Sequence, residues 1–405
     1  MTLGRRLHYG WIIAGCGTLC LLAGLGMGRF AIGMLLPAMG RDLGLGYAGM
    51  GYISTGNFIG YLVAVLLCGP LSARFGGRRT ITFALLLVGG TMLAIGHATG
   101  FYSLLALYTL TGMGSAAANV PMMGLLAQWF SRRLRGRAAG FVVIGSGFSI
   151  LLSGWLVPRL NALGGVSGWR LSWQVLGGIV LLVAVCCALL LRNRPAELGL
   201  TPVGSVAGEA GGLPALDRNC PPRTIWHLGA VYFLFGATYV VYATFIVTAL
   251  VQERGLSEVA AGRFWSVVGA FSLLSGPVFG SLSDRFGRRE TLALVFSIQA
   301  LAYLLAGLPL PLPLLWCSIA CYGMVVWSIP SIMAALSADY AGAQRAGHVF
   351  GFITFIFAWG QIGGPALAGW MAERLGSFSG SFFLASALAV VGALLALRLP
   401  RPERC

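Results

Sequence analysis

The stretch GSLSDRFGRR, residues 280–289, has an earlier counterpart in the chain: GPLSARFGGRR, residues 69–79. Gly, Leu, Ser, Arg, Phe and Gly match in register, from Gly69 against Gly280 to Gly76 against Gly287. At the same offset, Gly136, Gly140 and Phe141 fall on Gly347, Gly351 and Phe352. A repeat spanning about half the chain means two parallel units of similar size. Each copy of the arginine-rich loop lies between long apolar runs, so the next question is what solvent surrounds them.

Hydrophobic residues make up 58% of the chain and charged residues 9%. A soluble domain carries about 25% charged residues, so water is not the main solvent here. The apolar residues fall into about twelve runs of roughly 20, the length that spans a hydrocarbon core. The runs begin near Trp11, Ala48, Thr80, Phe101, Arg137 and Trp169, then near Thr224, Ala260, Thr291, Leu312, Gly347 and Ser379. Lipid offers no partner to unpaired backbone groups and no barrel alternation is present, so the expected class is an all-α integral membrane protein.

The net charge of +16 is a matter of topology, not of nucleic-acid binding. All 27 basic residues are arginine. Twenty lie at the termini and in alternate loops, six (Arg41, Arg159, Arg170, Arg254, Arg263, Arg374) in the opposite set, and Arg29 inside a run. The positive-inside rule then places both termini in the cytoplasm with an even number of spans. Arg5 and Arg6 before the first run suggest a signal peptide and IAGC at Cys16 a lipoprotein site, but the run is too long and continues into further spans. It is expected to be a retained signal anchor. The nine cysteines mostly lie within runs. Without histidine or acid partners, Cys16/Cys20 and Cys317/Cys321 read as packing residues, so neither metal nor cofactor is expected.

Residues 192–223 are rich in Gly, Pro and charge and read as a cytoplasmic linker. The expected organisation is a six-helix bundle over 1–191, the linker over 192–223, and a second bundle over 224–405. No other loop could house a soluble catalytic module, and no nucleophile–base pair or metal cluster lies in the runs, so no enzyme is expected.

The doubled loop G-x-L-x-D-R-x-G-R-R resembles the signature loop of the major facilitator superfamily, and twelve spans with a central linker agree over essentially the whole chain. GMGRFAIGMLLPAM and GATYVVYATF are similar to its YbfB/YjiJ-like branch. HYGWII, QWFSRRLRGRAAG and RPAELGLTP resemble the monocarboxylate and oxalate–formate transporters. The resemblance implies alternating access around one central site between two bundles. Parallel repeats point the same way independently, to a site near the midplane at the repeat interface.

Arg29 is the strongest candidate for that site. It lies 18 residues after Trp11, ~27 Å along a helix, and no acid precedes Asp42. An arginine at such depth costs about 2.5–3.5 kcal/mol on insertion scales. Its fork matches carboxylate or phosphate, although it could instead bond helix-end carbonyls or snorkel outwards. Gly24, Gly26 and Gly28 before it could be a packing face. Aligning GMGRF with GATYV puts Tyr239 opposite Arg29, with Tyr242 near it. Asn57, Asn119, Trp327 with Ser328, and Gln361 complete a sparse polar set, for each of which interhelical bonding competes with ligand contact.

All eleven acids lie in loops or at span ends. The R-x-x-x-G pattern of proton-driven members reads YTLTG here, with Tyr108 in the arginine's place, which argues against a proton-coupled multidrug exporter. The eighth-span arginine of monocarboxylate transporters is replaced by Gly276, which leaves Arg29 as the anion's partner. The four histidines lie near span ends and are expected to be passive. In the loops, Arg74, Arg78, Arg135, Arg137, Asp284, Arg285, Arg288 and Arg289 are expected to gate, with Asp284 reaching a helix N-terminus or Arg135/Arg137 across the halves; setting topology is their alternative role. Ala73 in the first copy makes that lock asymmetric.

The expected function is secondary transport of a small organic anion, carboxylates favoured, across a bacterial inner membrane. The chain would work as a monomer, coupled to a proton or a counter-anion. Two alternatives stand beside it: an exporter with a mainly apolar pocket and a structural Arg29, and a receptor or scaffold that moves nothing.

Overall fold

Backbone groups in lipid must pair within their own segment, and the chain obeys almost everywhere. The computed structural model describes residues 8–205 and 221–400. Helix 1 spans Tyr9–Leu43, helix 2 Tyr47–Phe75, helix 3 Gly77–Ile95, helix 4 Phe101–Trp129, helix 5 Arg132–Leu163 and helix 6 Gly168–Leu190. Helix 7 spans Pro222–Glu253, helix 8 Glu258–Phe286, helix 9 Arg288–Gly307, helix 10 Leu312–Gly342, helix 11 Arg345–Leu375 and helix 12 Ser379–Leu397. Each begins within five residues of its expected start. Eleven are long and apolar enough to cross a membrane. Helix 4 is the twelfth; its 29 residues carry no charge, but glycines, hydroxyls and Asn119 lower its hydropathy.

Glycine supplies the break that no other residue would tolerate. Helix 10 runs on into helix 11 through Gly342, where φ is 73°, a backbone region closed to most side chains. The linker after helix 6 is ordered as far as it is described. Val203 pairs with Phe130 as a short parallel bridge, its N–H donating to the Trp129 carbonyl at 2.9 Å. Residues 206–220, like Arg5 and Arg6, lie outside the described residues.

Helices 1, 2 and 5 meet helices 7, 11 and 8 across the two halves. One stripe of helix 5 shows how. Gly136, Gly140, Gly147 and Gly154 lie four and seven residues apart, on one face. A Cβ on Gly147 would strike Ser272 and Leu273, and Gly154 and Gly262 each face the other's carbonyl. Gly136 and Gly140, nearer the signature loops, face open space. Helix 11 repeats the pattern: Gly369 abuts Tyr47 and Gly51, whereas Gly347 and Gly351 meet nothing. The halves therefore touch on the side away from the signature loops and part towards them. Small residues permit this backbone contact where no side chain could fit.

The closed side also carries polar ties. Arg41 pairs with Glu258, whose second oxygen accepts from Asn161 at 2.8 Å. Tyr47 packs on Phe378 at 4.6 Å, and the Ala48 N–H donates to Glu373 at 3.3 Å. Twelve residues before Arg41 on the same helix, further towards the signature loops, sits Arg29.

Candidate functional site

Arg29 is 6% exposed and lies in a π-helical stretch, Leu21–Phe30, that interrupts helix 1. The sequence reading anticipates a plain helix there. The N–H of Ala31 reaches back five residues to the Gly26 carbonyl at 3.3 Å, the wide turn often found at functional sites. Gly26 packs against Ser149, and Gly28 against Ser115 and Val88, so these glycines form a packing face.

Neighbouring side chains hold the backbone carbonyls of this stretch. The Tyr108 hydroxyl donates to the Arg29 carbonyl at 2.8 Å, and Ser115 to the Gly24 carbonyl at 2.5 Å. The Asn57 amide donates to the carbonyls of Gly28 (3.4 Å) and Tyr108 (3.0 Å). Anchored in this way, the segment projects Arg29 towards helix 2.

There the guanidinium meets rings instead of acids. Its Cζ lies 4.1 Å from the Phe58 centroid and 4.5 Å from that of Tyr61. These residues are three apart and so share a helical face. The rings stabilise the buried charge by cation–π attraction and leave its edge free. Nε and Nη2 are buried without a hydrogen-bond partner. Together they form the side-on fork that takes a carboxylate through two parallel bonds. A void of about 10 Å³ adjoins Arg29 between Phe30, Phe58 and Thr244, room for about one water.

The second half supplies the opposite wall. Helix 10 breaks at Trp327, whose N–H donates to the Ser275 hydroxyl at 3.0 Å. The Trp327 ring meets Phe30 edge-on at 5.2 Å, and its own Nε1 is buried and unpartnered. Tyr239 stands 6.2 Å from Trp327, and its hydroxyl accepts from the Gln361 amide. Across the chamber, the Asn119 amide donates to the Tyr61 hydroxyl at 2.9 Å, leaving Asn119 Oδ1 buried and free.

Five of the seven expected binding residues, Arg29, Asn119, Tyr239, Trp327 and Gln361, thus fall in one series of contacts that joins the two halves; the region they surround is the chamber. Asn57 adjoins Arg29 through the backbone, its amide nitrogen engaged by the Gly28 and Tyr108 carbonyls and its Oδ1 buried without a partner. Tyr242 is a correction. Its hydroxyl shares a hydrogen bond with Ser318 at 2.9 Å and its ring stacks on Tyr322 at 4.1 Å, inside the second bundle. A spacing of three leaves Tyr242 on the same side of the helix as Tyr239, and it is these contacts that hold its ring within the second bundle. Sequence reasoning passes over Phe58 and Tyr61, although the string NFIGY places an amide and two rings one turn apart. It gives Tyr108 only as a replaced arginine.

The loop residues pair within their own halves. Asp284 contacts Arg288 at 2.5 Å, and Arg288 also reaches Asp339 at 3.0 Å and Ser283 at 2.8 Å. Arg289 pairs with Glu290 at 2.6 Å. In the first half Arg78 donates to the Ala188 carbonyl at 2.9 Å and Arg135 to that of Ala127 at 2.7 Å. Arg74 and Arg285, equivalent in the repeat, each lie 5.5 Å over the next phenylalanine ring. Arg137 is exposed. The Asp284 contact with Arg135 or Arg137 is not made while the halves are parted on this side. Cavities of about 450 and 460 Å³ lie beside the two signature loops, away from Arg29.

Two helical halves that close on one side of a buried, ring-lined cation and open on the other define a multi-pass membrane transporter rather than an enzyme. The chain belongs to the major facilitator superfamily, whose family model matches residues 18–365. It is 26% identical to the hexuronate transporter of Bacillus subtilis (strain 168), over 92% of this chain and 91% of that one. It is 27% identical to monocarboxylate transporter 11 of Homo sapiens, over 97% of this chain and 83% of that one. In architecture it is similar to a bacterial homologue of the human lysosomal transporter Spinster in an inward-facing, occupied conformation. That similarity has a TM-score of 0.76 at 16% identity and covers 99% of this chain and 98% of that one.

Proposed function

We propose that the chain carries a small organic anion, a carboxylate in particular, across a bacterial inner membrane by alternating access. The signature loops and both termini would face the cytoplasm, and the protein would work as a monomer. One observation carries the reading: the Nε–Nη2 edge of Arg29 is buried and unpartnered. Buried polar groups are almost always satisfied, and an arginine serving only to hold helix-end carbonyls would use this edge on them. The names of the hexuronate and monocarboxylate relatives agree with an acid as cargo.

The loop residues named above would act as the gate, Asp284 reaching Arg135 or Arg137 when that side closes. Coupling would run through a proton or a counter-anion. The described acids lie at helix ends or in loops, so an exchanged anion, or a proton that travels with the substrate, suits this chain better than a buried carboxylate carrier.

The test is ligand-induced thermal stabilisation of the purified protein, followed by uptake into liposomes, for wild type, Arg29→Gln and Arg29→Lys. Removing one partner of a buried charge pair costs about 2–5 kcal/mol, roughly 30-fold or more in affinity. Carboxylates should therefore stabilise the wild type and not Arg29→Gln. Lysine keeps the charge but lacks the fork, so its rescue should be partial. If acids stabilise all three proteins equally, Arg29 is structural and the reading fails.

A further inference from the structure

We infer that the anion carried at Arg29 is an aromatic monocarboxylate, a flat ring bearing one acid group; the inference rests on the anion reading above. Rings from both halves form a continuous series of contacts beside Arg29. Phe30 meets Trp327 at 5.2 Å, Trp327 meets Tyr239 at 6.2 Å, and Tyr239 lies parallel to Phe357 at 6.0 Å with their planes 7° apart. These residues come from helices 1, 7, 10 and 11, so both halves contribute. Tyr61, Trp327 and Phe357 are half-buried, whereas Arg29, Tyr239 and Gln361 are buried. A molecule arriving from the open side meets rings first and the cation last. A ring fits such a wall by offset or edge-on stacking, with its acid group leading.

Hydrogen-bonding capacity narrows the class further. The Tyr61 and Tyr239 hydroxyls accept from Asn119 and Gln361, so each keeps its own hydrogen to donate. Trp327 Nε1 is another free donor, and Asn119 Oδ1 and Asn57 Oδ1 are free buried acceptors. The free donors on Arg29, Trp327 and the two phenols thus outnumber the two free amide oxygens. A sugar acid or tartrate brings several hydroxyls whose hydrogens would stay unpaired, which a buried site penalises. One ring hydroxyl, by contrast, can donate to Asn119 Oδ1. Among the described residues no charged side chain pairs with Arg29, so a single carboxylate balances it.

The experiment measures binding to the purified full-length protein by thermal shift and by competition. The panel is benzoate, 4-hydroxybenzoate and phenylacetate against acetate, lactate, tartrate and glucuronate. The aromatic acids should bind at least tenfold more tightly. Trp327→Leu should cut that preference to threefold or less, and Phe357→Leu provides the same reading should the first variant not fold. If lactate, tartrate or glucuronate binds as tightly as benzoate and depends on Arg29, the ring assignment is wrong and the anion reading stands. If no acid binds, or all bind equally to Arg29→Gln, the anion reading itself falls.

Discussion

The hydroxyl of Tyr108 donates to the main-chain carbonyl of Arg29 at 2.8 Å, and in the second half Tyr322 makes the same bond to the carbonyl of Tyr239 at 3.0 Å. Tyr239 is the counterpart of Arg29 in the repeat, so the fourth helix of each half ties down the first at the same depth. The duplicated architecture has kept this tie although the two anchored side chains differ. In one half it aims a cation into the chamber, and in the other a phenol.

Tyr108→Phe leaves the Arg29 carbonyl without its donor at the end of the π-helical stretch. A buried group left unpaired costs about 1–3 kcal/mol, and the anion affinity should fall with it as Arg29 loses its fixed direction. Tyr322→Phe should lower thermal stability by a similar amount with anion affinity within about threefold of wild type. Thermal denaturation and ligand titration of both variants distinguish the cases. Equal loss of affinity in both would mean that the bond is structural only.

Gly154 and Gly262 face each other's carbonyls on the closed side. Gly154→Leu inserts a side chain where the backbones meet, so the halves can no longer close there. The expected result is a shift towards the opposite conformation. Thiol labelling of a cysteine placed at Gly140, on the open side, should slow at least severalfold in the variant. Unchanged labelling would show that the glycine contact does not set the equilibrium.

Arg288 joins Asp284, Asp339 and Ser283. Its side chain is 24% exposed, against 66% for Asp284. An exposed ion pair contributes about 0.2–1 kcal/mol, so Asp284→Asn should change stability by less than about 1 kcal/mol. Arg288→Ala removes three contacts at once and should cost more, with transport reduced further. A larger loss for Asp284→Asn would place the weight on a contact that Asp284 makes in the other conformation.

Membrane helices are highly legible in a sequence. Their length and apolar content are imposed by lipid, residue by residue, which is why the expected starts of all twelve fall near the observed ones. Arg29 stood out for the same reason, since a lone charge at depth is visible without knowing its neighbours. Phe58 and Tyr61 did not stand out. In an apolar run aromatic residues are ordinary, and nothing local says which of them faces a cation. Tyr242 misled because proximity along a helix is not proximity in space; its partners Ser318 and Tyr322 lie in its own bundle.

The chain's sequence by itself determined the solvent, the helices, the duplication and the place of Arg29 within an apolar run, because each follows from local composition or from self-similarity. Only the tertiary structure decided which side is open, what covers the face of Arg29, and that its fork has no partner. Those depend on the packing of helices 1, 2, 7 and 10, whose contacts join residues up to about 300 positions apart, Phe30 with Trp327 among them. No local pattern encodes such a contact. It is set by shape complementarity between helices, where glycine stripes let backbones meet and rings fill the space that remains.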